Sequence, residues 1–575
     1  MKPVHASVLA LTIVLLAACG DQPAGDRPAA PTPDAPSVAT PASEEAMPKL
    51  PESPSTEPAI RSEDLAAHLK ILASDEFGGR QPGTAGERKT VAYLEREFAR
   101  IGLAPGNGDR YRQAVPMVEI HSEPKGPLEV RLPDGNTETL AFSSDVVFQS
   151  LREDPEVAVV DSELVFVGFG VNAPELGWND YEGVDVVGKT VLVLVNDPGF
   201  ETGDETLFRG PAMTYYGRWT YKYEEALRQG AAAALVVHDD LGAAYGWDVV
   251  QNSFTGTEFD LPQPADRPKL AIRGWITTPA TERLLARLGR DLKALRAAAN
   301  QPGFRAIPLG ATASMGVRNR VRHAQSQNVL GLVRGSERPQ EVIVFTAHWD
   351  HLGRTFNAKD DGIFNGAIDN ATGVATLLET AEAIAHGPTP QRSVLFLAVT
   401  LEESGLLGSR YYVENPVYPL QDTVAVINVD AMQIIGPTRD VVVIGYGHSE
   451  LEDILRDHAA AQGRIVVGEP TPEKGFYYRS DHFNFARAGV PALYPKNGID
   501  HVEKGAEFGR QVSADYILKD YHKPSDEFRE DWDFSGLVQD TELIHAVVRD
   551  LADSARWPKW YEGSEFRAIR EAMGR

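Results

Sequence analysis

One cysteine in 575 residues, Cys19, rules out any internal disulfide, so the folded chain depends on packing, hydrogen bonds and charge alone. Basic residues are scarce: 56 Lys and Arg stand against 82 Asp and Glu, a formal charge of −26. That balance argues against a nucleic-acid partner or an anionic-membrane surface, since both reward Lys and Arg. Long apolar runs are also missing. The most apolar stretch, "VLALTIVLLAACG", is too short to span a bilayer comfortably. No internal repeat is evident. What remains is ordinary globular composition, 42% hydrophobic and 24% charged, in a chain long enough for two to four domains.

Lys2 and the apolar stretch read as a targeting segment. Its end, Leu16-Ala17-Ala18-Cys19, resembles a bacterial lipobox, with the cysteine where such a signal is cut and lipidated. Residues 1–19 are therefore expected to be a lipoprotein signal peptide. The mature protein is expected in the periplasm, on a membrane only through an N-terminal lipid, with inner or outer membrane left open. From 20 to 60 the chain is crowded with Pro, Ala, Ser and acids, and it is expected to be a disordered, semi-extended spacer.

Order is expected from "SEDLAAHLKILASDEF", where Ser62 is placed to cap a helix, followed by the turn "GGRQPGTAG" and the helix "ERKTVAYLEREFARIGL". Between about 151 and 303 the texture changes to short buried-strand runs, "ELVFVGFGV", "TVLVLVND" and "AAALVVHD", with long polar loops. None of these runs ends in a cluster of metal ligands. The aromatics of "MTYYGRWTYKYEEAL" fit either the core of this section or the wall of a cleft. From Asn328 onward strands and helices alternate regularly, with "NVLGLVRG" and "EVIVFTAHWD" read as paired strands. Alternation of this kind predicts an α/β fold: a mostly parallel, mixed sheet sandwiched by helices, formed by 61–150 and 304–575, with 151–303 inserted.

Several strands of the regular part run into residues that bind metals. His348 and Asp350 follow "EVIVFTA", Glu402 and Glu403 follow "SVLFLAVT", and Asp430 follows "TVAVINV". Asp369 lies in the Gly-rich "NGAIDNATG", and His522 in "YHKPSDE". The carboxyl ends of neighbouring parallel strands lie side by side, so residues remote in sequence can converge there. Converging carboxylates without counter-charge push one another toward protonation. Two Zn²⁺ remove the difficulty: their four positive charges balance Asp369, Asp430, Glu403 and a bridging hydroxide, with His348 and His522 as neutral ligands. One carboxylate would bridge the ions at roughly 3.5–4 Å. Nitrogen and carboxylate donors without thiolate suit zinc, with Co²⁺ or Mn²⁺ able to replace it. Glu403 is then expected as a ligand and its neighbour Glu402 as the general base. Asp350 has the spacing to accept a hydrogen bond from the other nitrogen of His348.

The motifs "AHWDHLG", "NGAIDNATGVA", "TLEESGLLGSRYY", "INVDAM", "RSDHFNFARAGVPA" and "YHKPSDE", in this order, resemble the co-catalytic zinc aminopeptidases of metallopeptidase family 28. Glutamate carboxypeptidase II and the glutaminyl cyclases are relatives of that family. The resemblance runs from about 328 to 550 and includes "GGRQPGTAG". It implies the zinc-peptidase, phosphorylase/hydrolase-like sheet and two zinc ions. His348, Asp369 and Asp430 would hold one ion and Asp369, Glu403 and His522 the other, with Asp369 as bridge and Glu402 as base. Tyr521 matches a tyrosine that helps polarise the scissile carbonyl. The section containing "VFVGFGVNAPELGWNDYEGVDVVGKTVLVLVND" resembles a β-rich protease-associated (PA) domain, which implies a lid or gate.

The expected activity is hydrolysis of N-terminal residues from peptides. Three alternatives stay open: a carboxypeptidase, for which Arg479 is a candidate carboxylate holder; a single-zinc glutaminyl cyclase; and a receptor-like relative without catalysis. Asp369 or Asn370 can equally serve as a helix cap, and Ser480 and Asp481 are expected to cap "HFNFARAG". His482 fits a structural role as well as a pocket one, and His351 has no assigned role. Oligomeric state is not legible.

Overall fold

The computed structural model describes residues 50–54, 56–262, 268–355 and 361–575. The apolar leader with Cys19, and residues 20–49, lie outside the described residues. The described residues within 50–60, expected to be part of the spacer, instead make contacts with the folded body. Leu50 and Ile60 pack on the main apolar core, and the Glu57 amide donates to Glu382 Oε1 at 2.6 Å. The Pro-rich composition concealed these contacts.

One mixed sheet of fifteen strands runs through the described residues. At one end lie four parallel neighbours, Ala492–Leu493, Thr423–Asn428, Arg338–His348 and Arg392–Val399. At the other lie Glu156–Phe166, Thr190–Leu194, Ala233–His238 and Ile272–Thr277, also parallel, with Val146–Gln149 antiparallel at the edge. The long strand Ile307–Val333 joins the two. Its first part pairs antiparallel with Glu156–Phe166, its middle with Arg112–Pro124, and Val329–Val333 with Val394–Ala398.

The expected pairing of "NVLGLVRG" with "EVIVFTAHWD" does not occur, because Arg392–Val399 lies between them. Two adjacent apolar runs joined by a polar turn read as a hairpin. Yet Arg392–Val399 is buried along its whole length, and the centre of a sheet is where such a strand belongs.

Strand alternation separates two apolar layers. Ile343 and Phe345 face a cluster with Leu65, Phe98, Leu377 and Val547, which covers one face with the helices Ser62–Leu72, Ala85–Ile101, Thr372–His386 and Ser535–Asp553. Val342 and Val344 face the other layer, with Tyr412 and Phe485. Ser62 is the first residue of its helix rather than its cap; Arg61 takes the cap position, and its side chain pairs with Asp64 at 3.0 Å instead of capping. Thr84 does cap, its hydroxyl accepting from the Gly86 amide. The core of the middle section takes in Leu128, Val130, Leu140, Val146 and Phe148 as well as residues beyond 151.

Candidate metal centre

Register explains why the acids meet. His348 lies opposite Val399 and Thr346 opposite Asn428, so the three strands end level and Glu402, Glu403 and Asp430 emerge beside His348. His348 Nε2 is 3.3 Å from Asp369 Oδ1 and 3.2 Å from Asp430 Oδ1. His522 Nε2 is 3.3 Å from Asp369 Oδ2 and 3.1 Å from Glu403 Oε2. Asp369 thus turns one oxygen to each imidazole, and two donor sets share it. The Glu402 carboxylate belongs to the same gathering, with donor atoms of His348, Glu402 and Glu403 all within 4.8 Å. Tyr521 stacks on His522, ring centroids 3.9 Å apart, and lines the same cleft.

The loop carrying Asp369 is held from beneath. The buried Arg80 guanidinium donates to the carbonyls of Trp349 at 2.9 Å, Asn365 at 2.6 Å and Gly366 at 2.9 Å. Asp526 accepts from the amides of Ile368 and Asp369 at 3.0 and 3.1 Å. Asn370, not Asp369, caps the next helix by accepting from the Gly373 amide at 3.0 Å, which frees the Asp369 carboxylate. Several non-glycine residues around the site take left-handed backbone, among them Arg80 (φ 50°), Leu401 (φ 56°), Ala431 (φ 50°) and His522 (φ 55°). Such strain persists only where surrounding structure imposes it. Arg80 and Asp526 escaped the sequence reading, although both lie in quoted motifs, "GGRQPGTAG" and "YHKPSDE".

Several expectations change in detail. His348 Nδ1 meets the main-chain carbonyl of Asp350 at 3.2 Å, whereas the Asp350 carboxylate is 3.9 Å away. That carboxylate instead accepts from the Glu402 amide at 3.2 Å, so Asp350 positions the proposed base. His351 Nδ1 lies 2.6 Å from Glu403 Oε1 and so holds that carboxylate in place. Neither Ser480 nor Asp481 caps the following helix through its side chain: Asn428 Nδ2 donates to Ser480 Oγ at 2.8 Å, and Ser409 Oγ donates to Asp481 at 2.5 Å. Both are drawn inward by buried partners. His482 is buried among Tyr477 and Tyr494, and burial pushes its imidazole down to about 3.

Charge is the site's dominant problem. Burial pushes Glu402 well above its ordinary range, and Asp430 and Glu403 add to the shift against His348. Burial favours neutral imidazoles, but Glu402 and Asp430 raise His348 well above its ordinary value, and Glu403 and Asp369 raise His522 to about 10. Asp369 is held well below its ordinary value by those two imidazoles, although burial opposes it. The gathered carboxylates thus favour positive charge at the two imidazoles. The donors fit divalent metals: two imidazole Nε2 atoms, one carboxylate shared between them, and one further carboxylate on each side. His522 Nε2 is buried without a hydrogen bond. A nitrogen and oxygen set without thiolate suits zinc.

The cluster opens into a cleft of about 1790 Å³ that is lined in part by the middle section, including Tyr215, Trp219 and Tyr223. Tyr223 is also buried core, so that aromatic stretch serves both roles weighed for it.

Residues 328–546 match Peptidase family M28, and this segment is an M28 peptidase domain. Aminopeptidase NAALADL1 of Mus musculus is 33% identical over 138 residues, 22% of this chain and 17% of that protein. A glutamate carboxypeptidase 2 homolog of Caenorhabditis elegans is 34% identical over 214 residues, 35% of this chain and 25% of that protein. The chain thus spans a quarter or less of the length of these relatives. Among solved structures, an aminopeptidase from Aneurinibacillus sp. strain AM-1 aligns over 87% of this chain and 95% of its own, at 18% identity and a TM-score of 0.47.

Proposed function

We propose that this protein is an exported zinc aminopeptidase that removes N-terminal residues from peptides. The observation that carries the reading is one carboxylate, Asp369, facing two imidazoles from opposite oxygens, with Glu402 alongside in an open cleft. His348, Asp369 and Asp430 would hold one zinc ion and Asp369, Glu403 and His522 a second, and bound zinc supplies Lewis-acid activation of water and of the peptide carbonyl. Glu402 takes a proton from the attacking water and delivers it to the departing amine, and the burial that raises its proton affinity suits it to hold that proton in between. Asp350 fixes the Glu402 backbone, and Tyr521 offers its phenol O–H to the carbonyl oxygen as negative charge develops there. The substrate's N-terminal ammonium is attracted by the acidic residues at the cleft floor. The middle section, in its proposed role as a PA-like lid, lines part of the cleft.

The test is a panel of aminoacyl chromogenic amides and N-blocked peptides, assayed with chelator and after zinc is restored. Cleavage of free N-termini that disappears with chelator and returns with zinc is expected. Activity that survives thorough metal removal overturns the reading, and cleavage of N-blocked peptides alone, from their carboxyl end, moves it to carboxypeptidase. Export on a lipid is read from the leader, and mass spectrometry of the membrane-fraction N-terminus is expected to find an acylated Cys19.

A further inference from the structure

Six arginines line the cleft, and four of them have acidic partners. Arg273 meets Glu258 at 3.0 Å, Arg410 meets Glu414 at 3.1 Å, Arg487 meets Glu224 at 3.3 Å, and Arg510 meets Glu507 at 2.8 Å. Arg218 and Arg479 have none among the described residues. Arg218 is 8% exposed and its buried Nε has no hydrogen-bond partner. Two guanidinium nitrogens of Arg479, Nε and Nη2, are buried and equally unpartnered. Arg479 has only aromatic faces beside it, lying over Phe476 at 5.2 Å and Tyr245 at 5.7 Å.

A buried guanidinium without a counter-charge is costly, and two near each other are more so. Burial, with Arg479 adding to it, pushes Arg218 down to about 9. Fold alone gives no reason to keep such a pair. An anion between them removes the repulsion, and guanidinium groups match the planar, bidentate demand of a carboxylate. The arginines come from different parts of the chain: Arg218 immediately precedes the helix Trp219–Arg228 of the middle section. Arg479 lies two residues before Asp481, which is bonded to Ser409 and feels the charges of His348 and Asp430.

We propose that Arg218 and Arg479 form an anion subsite that receives a carboxylate of the peptide substrate. The inference rests on the peptidase reading and narrows its substrate class to short peptides with a free carboxyl end or an acidic side chain near the cleaved bond. A bound carboxylate would thus join a residue of the middle section to one of the peptidase segment.

The test compares matched pairs on the full, zinc-loaded protein: Leu-Gly-Gly against its C-terminal amide, and Leu-Glu-amide against Leu-Gln-amide. A preference of about tenfold or more in kcat/KM for the charged member of either pair is expected, and the pair that shows it identifies the carboxylate's source. That ratio should fall toward one in Arg479→Met and in Arg218→Met, each checked for native folding by its melting transition. Should Arg218→Met not fold, Arg479→Met decides alone. Calorimetric titration of Glu402→Gln protein with the same pairs reads the preference without turnover. The neutral member of each pair reports the peptidase activity by itself, so its cleavage without any preference for charge overturns the subsite and leaves the peptidase reading standing. A preference undiminished in both variants overturns the assignment to these arginines.

Discussion

The two ends of the sheet share a construction and differ in what their strands run into. In the middle section, parallel strands buried on both faces end at Leu194, His238 and Thr277. The polar groups closest to these ends are used up locally: Asn196 Nδ2 donates to the Gly242 carbonyl at 3.1 Å, His238 Nε2 pairs with the Tyr245 carbonyl at 3.0 Å, and Thr277 caps a helix. Even the buried Lys222 is satisfied by the carbonyls of Phe169 at 2.6 Å, Asn196 at 2.8 Å and Tyr216 at 2.5 Å. At the other end, Glu402, Glu403 and Asp430 gather with Asp369 around two imidazoles, and among the described residues no lysine or arginine is ion-paired with their carboxylates. The same sheet physics serves structure in one place and stores unbalanced charge in the other. That imbalance marks the functional end.

The largest break in this contrast should come from Asp369→Asn. Losing the shared carboxylate removes a donor from both sets, so metal analysis should find less than one zinc per chain, with activity near background. A variant that keeps both ions would show that Asp369 is not the bridge. Next in size is Glu402→Gln, which should retain zinc and lose about 10²–10⁴-fold in kcat, the usual range for a general base. A near-normal rate would remove Glu402 from the chemistry.

Much of this end was legible because its signals are local. Apolar runs ending in His348, Glu402 and Asp430 declare both the strands and their termini, and parallel order then forces convergence. What escaped depends on distant partners. Arg80 looks like a turn residue until its guanidinium is seen to hold carbonyls some 285 positions away. Asp350 reads by spacing as a partner of His348, but the chain turns so that its carbonyl meets the ring and its carboxylate meets the Glu402 amide. Ser480 and Asp481 carry the local pattern of a cap, and buried Asn428 and Ser409 claim them instead. Strand order failed for the same reason: the central position of Arg392–Val399 is decided by burial across the sheet, which the hairpin-like neighbourhood of its competitors does not reveal.

The smallest expected effect tests the middle section's side of the contrast. Thr277 ends its strand at a place in that half comparable to His348 in the other, but its hydroxyl accepts from the Ala280 amide at 3.2 Å and its carbonyl accepts from the Thr281 hydroxyl at 2.9 Å. Its role is to satisfy the first turn of the helix Thr278–Arg287, one of whose free amides would otherwise be buried or left to water. Thr277→Ala should therefore cost ~1 kcal/mol of stability, the usual worth of an N-cap, and lower the urea midpoint accordingly. Zinc content and kcat/KM should not change, because nothing at this strand end touches the cluster. If the variant instead loses activity tenfold while keeping its midpoint, the middle section does more at its strand ends than close its own helices, and the division between the two ends fails.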